Sequence, residues 1–109
     1  MTMHLYEFML PVTDNSGRPT KQALADWEAS ALAWAGGFTL MSEPTRGAWR
    51  DPGTGKVYVD YVRIYRVGCT AEQHRELLAD AFALFSDQAA IFCACVGTAE
   101  VHMRPAAAA

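Results

Sequence analysis

The sequence predicts an α+β fold of the ferredoxin-like type, a four-stranded antiparallel sheet with two helices on one face. The first observation behind this prediction is the order of the elements, β-α-β-β-α-β, with helices of similar length. The second is the position of Pro44 and Gly47 within the second strand. The spatial strand order of this topology is 4-1-3-2, which places that strand at an edge, where proline is tolerated.

The first strand and the first helix are predicted from the spacing of apolar residues. Residues 5–12 are rich in β formers, and Tyr6, Phe8 and Leu10 alternate on one side. Over residues 20–35 apolar residues recur every three or four positions, as one buried helix face requires. These residues are Leu24, Trp27, Ala31, Trp34 and Ala35. Two glycines follow and are expected to end the helix.

The second half of the chain predicts a hairpin, a helix and a last strand. Residues 37–49 favour an irregular edge strand, which pairs across a turn cluster with the strong strand pattern of residues 56–67. Thr70 and Gln73 form a capping box that starts the second helix. Its inward face is predicted to carry His74, Leu77, Leu78, Ala81, Phe82 and Phe85. Residues 90–96 predict a strand buried on both faces, with an extension toward residue 101 left open.

Composition excludes several classes of protein. At 51% hydrophobic and 19% charged residues the chain is too apolar to be disordered, and no apolar stretch reaches the roughly 18 residues of a bilayer span. Glu7 and Pro11 interrupt any secretory signal pattern, and three cysteines without framework spacing are typical of a reducing compartment. We therefore expect one cytoplasmic domain over residues 1–109, with its core at about 4–103 and a short alanine-rich tail.

The sheet face without helices is the expected interaction surface. If Tyr6, Phe8, Leu10, Val62 and Ile64 face the helices, the open face carries Leu5, Glu7, Met9, Tyr61, Arg63, Tyr65 and alternate residues of the last strand. Such a face is too apolar to stay bare. We expect a homo-oligomer, a dimer through this face, with Glu7 paired to Arg63. A plain interface with one ion pair and a ligand pocket between the two sheets both stay open.

The leading functional hypothesis is an oligomeric module that binds a small anionic or aromatic molecule. Arg63 would be the charge partner, Glu7 its counter-ion when the pocket is empty, and Trp49, Tyr61 and Tyr65 the apolar walls. A small α+β-barrel enzyme without metal is the alternative, and it would need an acid or base in the pocket, for which Glu7 is the candidate. The sequence assigns no catalytic residue beyond that.

Single-stranded RNA binding is a third and weaker hypothesis. The hairpin of residues 46–66 holds five of the nine basic residues, interleaved with aromatic residues. The segment lacks the glycines and spaced phenylalanines of an RNA recognition motif, and the net charge of the chain is −3. Nucleic acid is therefore not the expected partner.

Metal and cofactor sites are not predicted. The spacing of His4, His74 and His102 is not that of metal ligands. The addition of Cys93 and Cys95 does not give the four convergent donors of a structural zinc site. We interpret Cys93 and Cys95 as small buried apolar residues and His74 as a residue at the boundary of the core.

Four short motifs resemble a group of short uncharacterised bacterial proteins with ferredoxin-like topology. They are the helix stop Gly36-Gly37-Phe38-Thr39, the segment Arg46-Gly47-Ala48-Trp49, the strand start Val57-Tyr58-Val59-Asp60 and the helix exit Phe85-Ser86-Asp87-Gln88. The resemblance covers roughly residues 5 to 96. It implies the same fold and supplies no mechanism.

Overall fold

A computed structural model describes residues 2–41 and 44–105 of the chain. Its strands and helices are β1 (Met3–Pro11), α1 (Lys21–Ala35), β2 (Thr39–Leu40), β3 (Thr45–Arg50), β4 (Val57–Cys69), α2 (Ala71–Leu84) and β5 (Phe92–Ala99). The predicted second strand is thus divided into β2 and β3, and Pro44 lies between them. Proline removes a ladder donor, so a break in the strand at this point is expected.

The antiparallel sheet has the strand order β2-β4-β1-β5, and β3 also pairs with β4. The ferredoxin-like α+β prediction is confirmed, and so is the 4-1-3-2 order once β2 and β3 are counted as one strand. The proline-containing segment lies at the sheet edge, as predicted. β5 forms the other edge, so the expectation of a last strand buried on both faces is wrong.

The core lies between the two helices and one face of β1 and β4. Trp27 of α1 is fully buried, and its ring centroid lies 5.0 Å from those of Phe8 and Tyr65. The indole Nε1 donates a hydrogen bond to the carbonyl of Leu77 in α2 at 3.1 Å. One side chain therefore ties both helices to the two central strands, and its single polar atom is satisfied.

Both helices begin or end where the local sequence chemistry requires it. Gly36 ends α1 in the left-handed region at φ 80°, and its N–H donates to the Leu32 carbonyl. At the start of α2 the Gln73 N–H donates to the Thr70 hydroxyl, and the Thr70 N–H donates to the Gln73 side chain. The predicted glycine stop and capping box are both confirmed.

The predicted helix faces are correct near their centres and wrong at two positions. Trp34 and Phe82 were expected in the core, yet they are 46% and 43% exposed. Helical periodicity predicts which side of a helix faces the core. It does not predict how far along the helix the neighbouring elements cover that side. Cys95 was expected to be buried and is exposed, and Cys93 is half-buried.

The register of β4 against β1 reverses the face assignment made from the sequence. Phe8 pairs with Tyr65 and Tyr6 with Val67, and residues paired across antiparallel strands share a face. Odd-numbered residues of β4 therefore point to the helix side. The prediction that Val62 and Ile64 face the helices is wrong, and so is the open-face placement of Tyr61, Arg63 and Tyr65. Both alternating sets of β4 contain apolar residues, so alternation alone could not select the buried one.

His74 lies at the margin of the core, in contact with β1 and β5. Its ring stacks on Tyr6 with centroids 4.0 Å apart, and its Nε2 lies 3.0 Å from the Cys93 Sγ. Burial, with a smaller effect of Arg75, lowers the pKa of His74 below 6.5. Burial raises the pKa of Cys93 to about 11. The two groups thus form a hydrogen-bonded pair that is neutral at neutral pH.

Two valines test the register directly. We expect Val67→Thr to lower the free energy of unfolding by about 1–3 kcal/mol, because Val67 is fully buried and an added hydroxyl would lose its hydration. The matched change Val62→Thr lies on the other face, where the side chain is partly exposed, and should cost less than about 1 kcal/mol. Urea unfolding measures both changes. A larger loss for Val62→Thr would contradict the register.

His74 predicts a loss of stability on acidification. Its pKa is lower in the folded chain than the 6.5 of the unfolded chain, so the unfolded chain binds the proton more tightly. The contribution is complete above pH 6.5 and is lost as the pH falls through the folded-state pKa. Unfolding midpoints at about pH 7.5 and about pH 5 should therefore differ less in His74→Gln than in the parent protein.

The control for this experiment is His102→Gln, because the His102 imidazole is largely exposed. It should leave the difference between the two midpoints unchanged. An equal difference in the parent protein and in His74→Gln would show that His74 does not control the acid response.

Candidate functional site

The open face is the sheet surface that no helix covers. It carries Leu5, Glu7 and Met9 of β1, Asp60, Val62, Ile64 and Arg66 of β4, Trp49 of β3 and Phe92 of β5. The register pairs Glu7 with Arg66 and Met9 with both Ile64 and Phe92, and strand alternation places the other side chains on the same face. Most are apolar, and the sequence prediction of an apolar open face holds with a different set of β4 residues.

An ion pair lies at the centre of the open face. The Arg66 Nε donates to Glu7 Oε1 at 2.9 Å, and the two residues are opposite one another in the β1–β4 ladder. Glu7 was expected to pair with Arg63, and that expectation is wrong because Arg63 is opposite Leu10 on the helix side. The side chains are 18% exposed for Glu7 and 39% for Arg66, so water still screens the pair.

A cleft of about 400 Å³ opens at one end of the open face, between the β3–β4 hairpin and the start of β5. Its walls are mainly apolar and include Met9, Trp49, Val62 and Phe92. Gly47 faces the cleft opposite Asp60 and leaves room there, since an added Cβ would meet only the Asp60 carbonyl oxygen, at 4.0 Å. Four separate segments of the chain thus build one cavity.

Trp49 forms the aromatic wall of the cleft. It is opposite Tyr58 in the hairpin, and their rings stack with centroids 5.0 Å apart and planes 16° apart. The Lys56 ammonium lies 4.8 Å from the Tyr58 centroid, a cation–π contact outside the cleft lining. Trp49 remains 37% exposed, so the stacked ring still presents surface to the cleft.

Asp60 and Gln88 bring side-chain hydrogen-bond acceptors to the lining of the cleft. Asp60 is the ionisable residue of the lining, and its carboxylate has no hydrogen-bond or ion-pair partner within residues 2–41 and 44–105. Gln88 also lines the cleft, and its Nε2 donates to the Asn15 and Asp87 side chains at 3.1 Å each. The amide oxygen of Gln88 is therefore left to accept. Such a site favours a ligand that donates hydrogen bonds.

The structure separates the residues predicted to bind a ligand. Trp49 lines the cleft, and Glu7 lies on the open face with Arg66. Tyr61, Arg63 and Tyr65 are on the helix side, so any ligand contact by these three would need a different site. Asp60, Gln88 and Phe92 were not predicted as site residues. Asp60 could have been predicted only from knowing which alternating set of β4 residues faces the open side.

Tyr65 is a structural residue on the helix side. Its ring is fully buried against Trp27 and Phe38, and its hydroxyl donates to Glu28 Oε2 at 2.5 Å. Burial and the Glu28 carboxylate raise the pKa of Tyr65 to about 12, against the opposing effect of Arg63. A phenol with this pKa keeps its proton at neutral pH and anchors β4 beneath α1.

Neither a metal centre nor a membrane-spanning helix is found in the part of the chain that the structure describes. Within it, no three histidine, cysteine or acidic side chains converge closely enough to hold an ion. The two helices among the described residues are also too short and too polar to cross a bilayer. The Cys93 thiol beside His74 stays protonated, so the pair does not supply an activated nucleophile.

Comparison with known proteins supports the fold and goes no further. The sequence matches no protein-family model, and no curated protein is similar to it. Among solved structures, the chain is similar to the structure of CutA from Synechococcus elongatus PCC7942, with a TM-score of 0.52 and 16% sequence identity. The match covers 88% of this chain and 76% of that one. At this identity the similarity shows a shared α+β fold alone.

Proposed function

We propose that the protein is a homodimeric small-molecule-binding module, with the open face as the dimer contact and the cleft as the binding site. The main observation behind this proposal is that the apolar surface and the cleft lie on the same face of the sheet. A largely apolar surface needs a cover, and an apolar cavity with a few polar atoms at its margin is the usual form of a ligand site.

The exposed area of the chain supports an interface. A compact monomer of 11.9 kDa exposes about 6,000 Å², whereas this chain exposes 7334 Å², roughly a fifth more. The open face, the β3–β4 hairpin and the C-terminal segment, all of which include exposed apolar side chains, contribute to the excess. A standard interface removes about 800 Å² from each partner.

The Glu7–Arg66 pair would make the open face specific for a second copy of the chain. A second copy placed face to face would bring the same pair across a two-fold axis, so each charge could bond within and between chains. Burial there would remove the water that now screens the pair. Removing one partner would then leave a buried charge unpaired, which costs more than the pair itself contributes.

Arg66→Ala tests the interface, with Arg63→Ala as the matched control on the other face of β4. We expect sedimentation equilibrium to give a dimer for the parent protein and for Arg63→Ala. Arg66→Ala should raise the dimer dissociation constant by about 30-fold or more, because Glu7 is left unpaired in the interface. A parent protein that is monomeric, or two variants that dimerise equally well, would rule out this face as the contact.

Indole tests the cleft, since it is small, neutral and flat enough to lie against Trp49. Titration of the isotopically labelled protein with indole should shift the Trp49 side-chain N–H resonance. Gly47→Leu should abolish the shift, because the position tolerates a Cβ and the longer side chain would fill the cavity. Persistence of the shift in Gly47→Leu, with a folded spectrum, would place indole elsewhere and contradict the cleft as the site.

A further inference from the structure

We propose that the cleft selects ligands that carry a cationic amine on an apolar or aromatic body. This inference rests on the proposed function and specifies its ligand class. It also replaces the anionic ligand expected from the sequence, because that expectation depended on Arg63 lying on the open face.

Strand alternation separates the charges of the β3–β4 hairpin onto opposite faces. Arg46 pairs with Tyr61 and Arg50 with Val57, so both arginines share the helix side with Arg63. Asp60 pairs with Gly47 on the open side. Three of the four arginines of the hairpin therefore lie on the helix side, whereas Arg66 is on the open face with Glu7. The unpartnered Asp60 carboxylate belongs to the cleft.

No lysine or arginine belongs to the cleft lining within the described residues. The arginine of the open face, Arg66, is bound to Glu7, and Lys56 contacts the ring of Tyr58. An anionic ligand in the cleft would thus meet Asp60 without any compensating cation. A carboxylate at the edge of an apolar cavity instead favours an ammonium group by charge and by hydrogen bonding.

The apolar and polar parts of the cleft are arranged for a ligand with two ends. Trp49, Met9 and Phe92 provide surface for an aromatic or branched body. Asp60 and the Gln88 amide oxygen provide acceptors, and an ammonium group carries three donors and no acceptor. The indole ring of Trp49 adds a further attraction for a cation placed over it.

Three probes with the same ring test this selection: tryptamine, neutral indole and indole-3-propionate. We expect tryptamine to bind about tenfold more tightly than indole, as measured by the shifts of the Trp49 and Asp60 resonances, because it adds a charge-assisted hydrogen bond. Indole-3-propionate should bind more weakly than indole. Equal or tighter binding of the anion would overturn the inference and leave small-molecule binding intact.

Asp60→Asn removes the negative charge of the side chain and keeps its size. The variant should remove the preference for tryptamine over indole, and a dispersed spectrum that retains the Trp49 resonance shows that the protein is folded. Asp80→Asn on α2 makes the same change in net charge outside the cleft and should keep the preference. Loss of the preference in Asp80→Asn, or its survival in Asp60→Asn, would contradict a role for Asp60.

Two further outcomes would overturn the inference together with the small-molecule site. If none of the three probes shifts the Trp49 resonance, both the inference and the small-molecule site fail. If the probes fail and Gly47→Leu also dissociates the dimer, a side chain of a second copy occupies the cleft, and the inference is equally overturned.

Discussion

The packing of Tyr65 against Phe8 and Trp27 fixes the phase of β4, and every feature of the open face depends on that phase. A shift of one residue would turn each side chain of the strand to the opposite face. With Tyr65 buried and its hydroxyl bound to Glu28, Arg66 must point to the open side, where it meets Glu7. The same alternation carries Asp60 into the cleft and keeps Arg63 away from it.

Local sequence signals predicted the elements well because their causes are local. The glycine stop after α1 and the capping box before α2 each act through hydrogen bonds within a few residues. The phase of β4 is different, since both alternating sets contain valine, isoleucine or tyrosine. The choice between them is made by the fit of Tyr65 beneath Trp27, a contact between residues far apart in sequence.

The cleft could not be predicted for the same reason. Its walls come from the end of β1, the hairpin of β3 and β4, and the segment leading into β5. Trp49 was predicted as an apolar wall because it is one of the aromatic residues of the 46–66 hairpin. Asp60 looked like one acid among many basic residues, and its isolation from them follows only from the pairing of β3 with β4. The net charge of a strand segment therefore does not predict the charge that one of its faces presents to a site.

The open face thus combines an ion-paired apolar surface with an acidic, aromatic cavity at its margin. Native mass spectrometry of the purified protein, followed by the same sample after denaturation, tests this combination most directly because it reports subunit number and bound mass together. We expect twice the mass of the 11.9 kDa chain, with an added small basic molecule that denaturation releases. A monomer without added mass would contradict it.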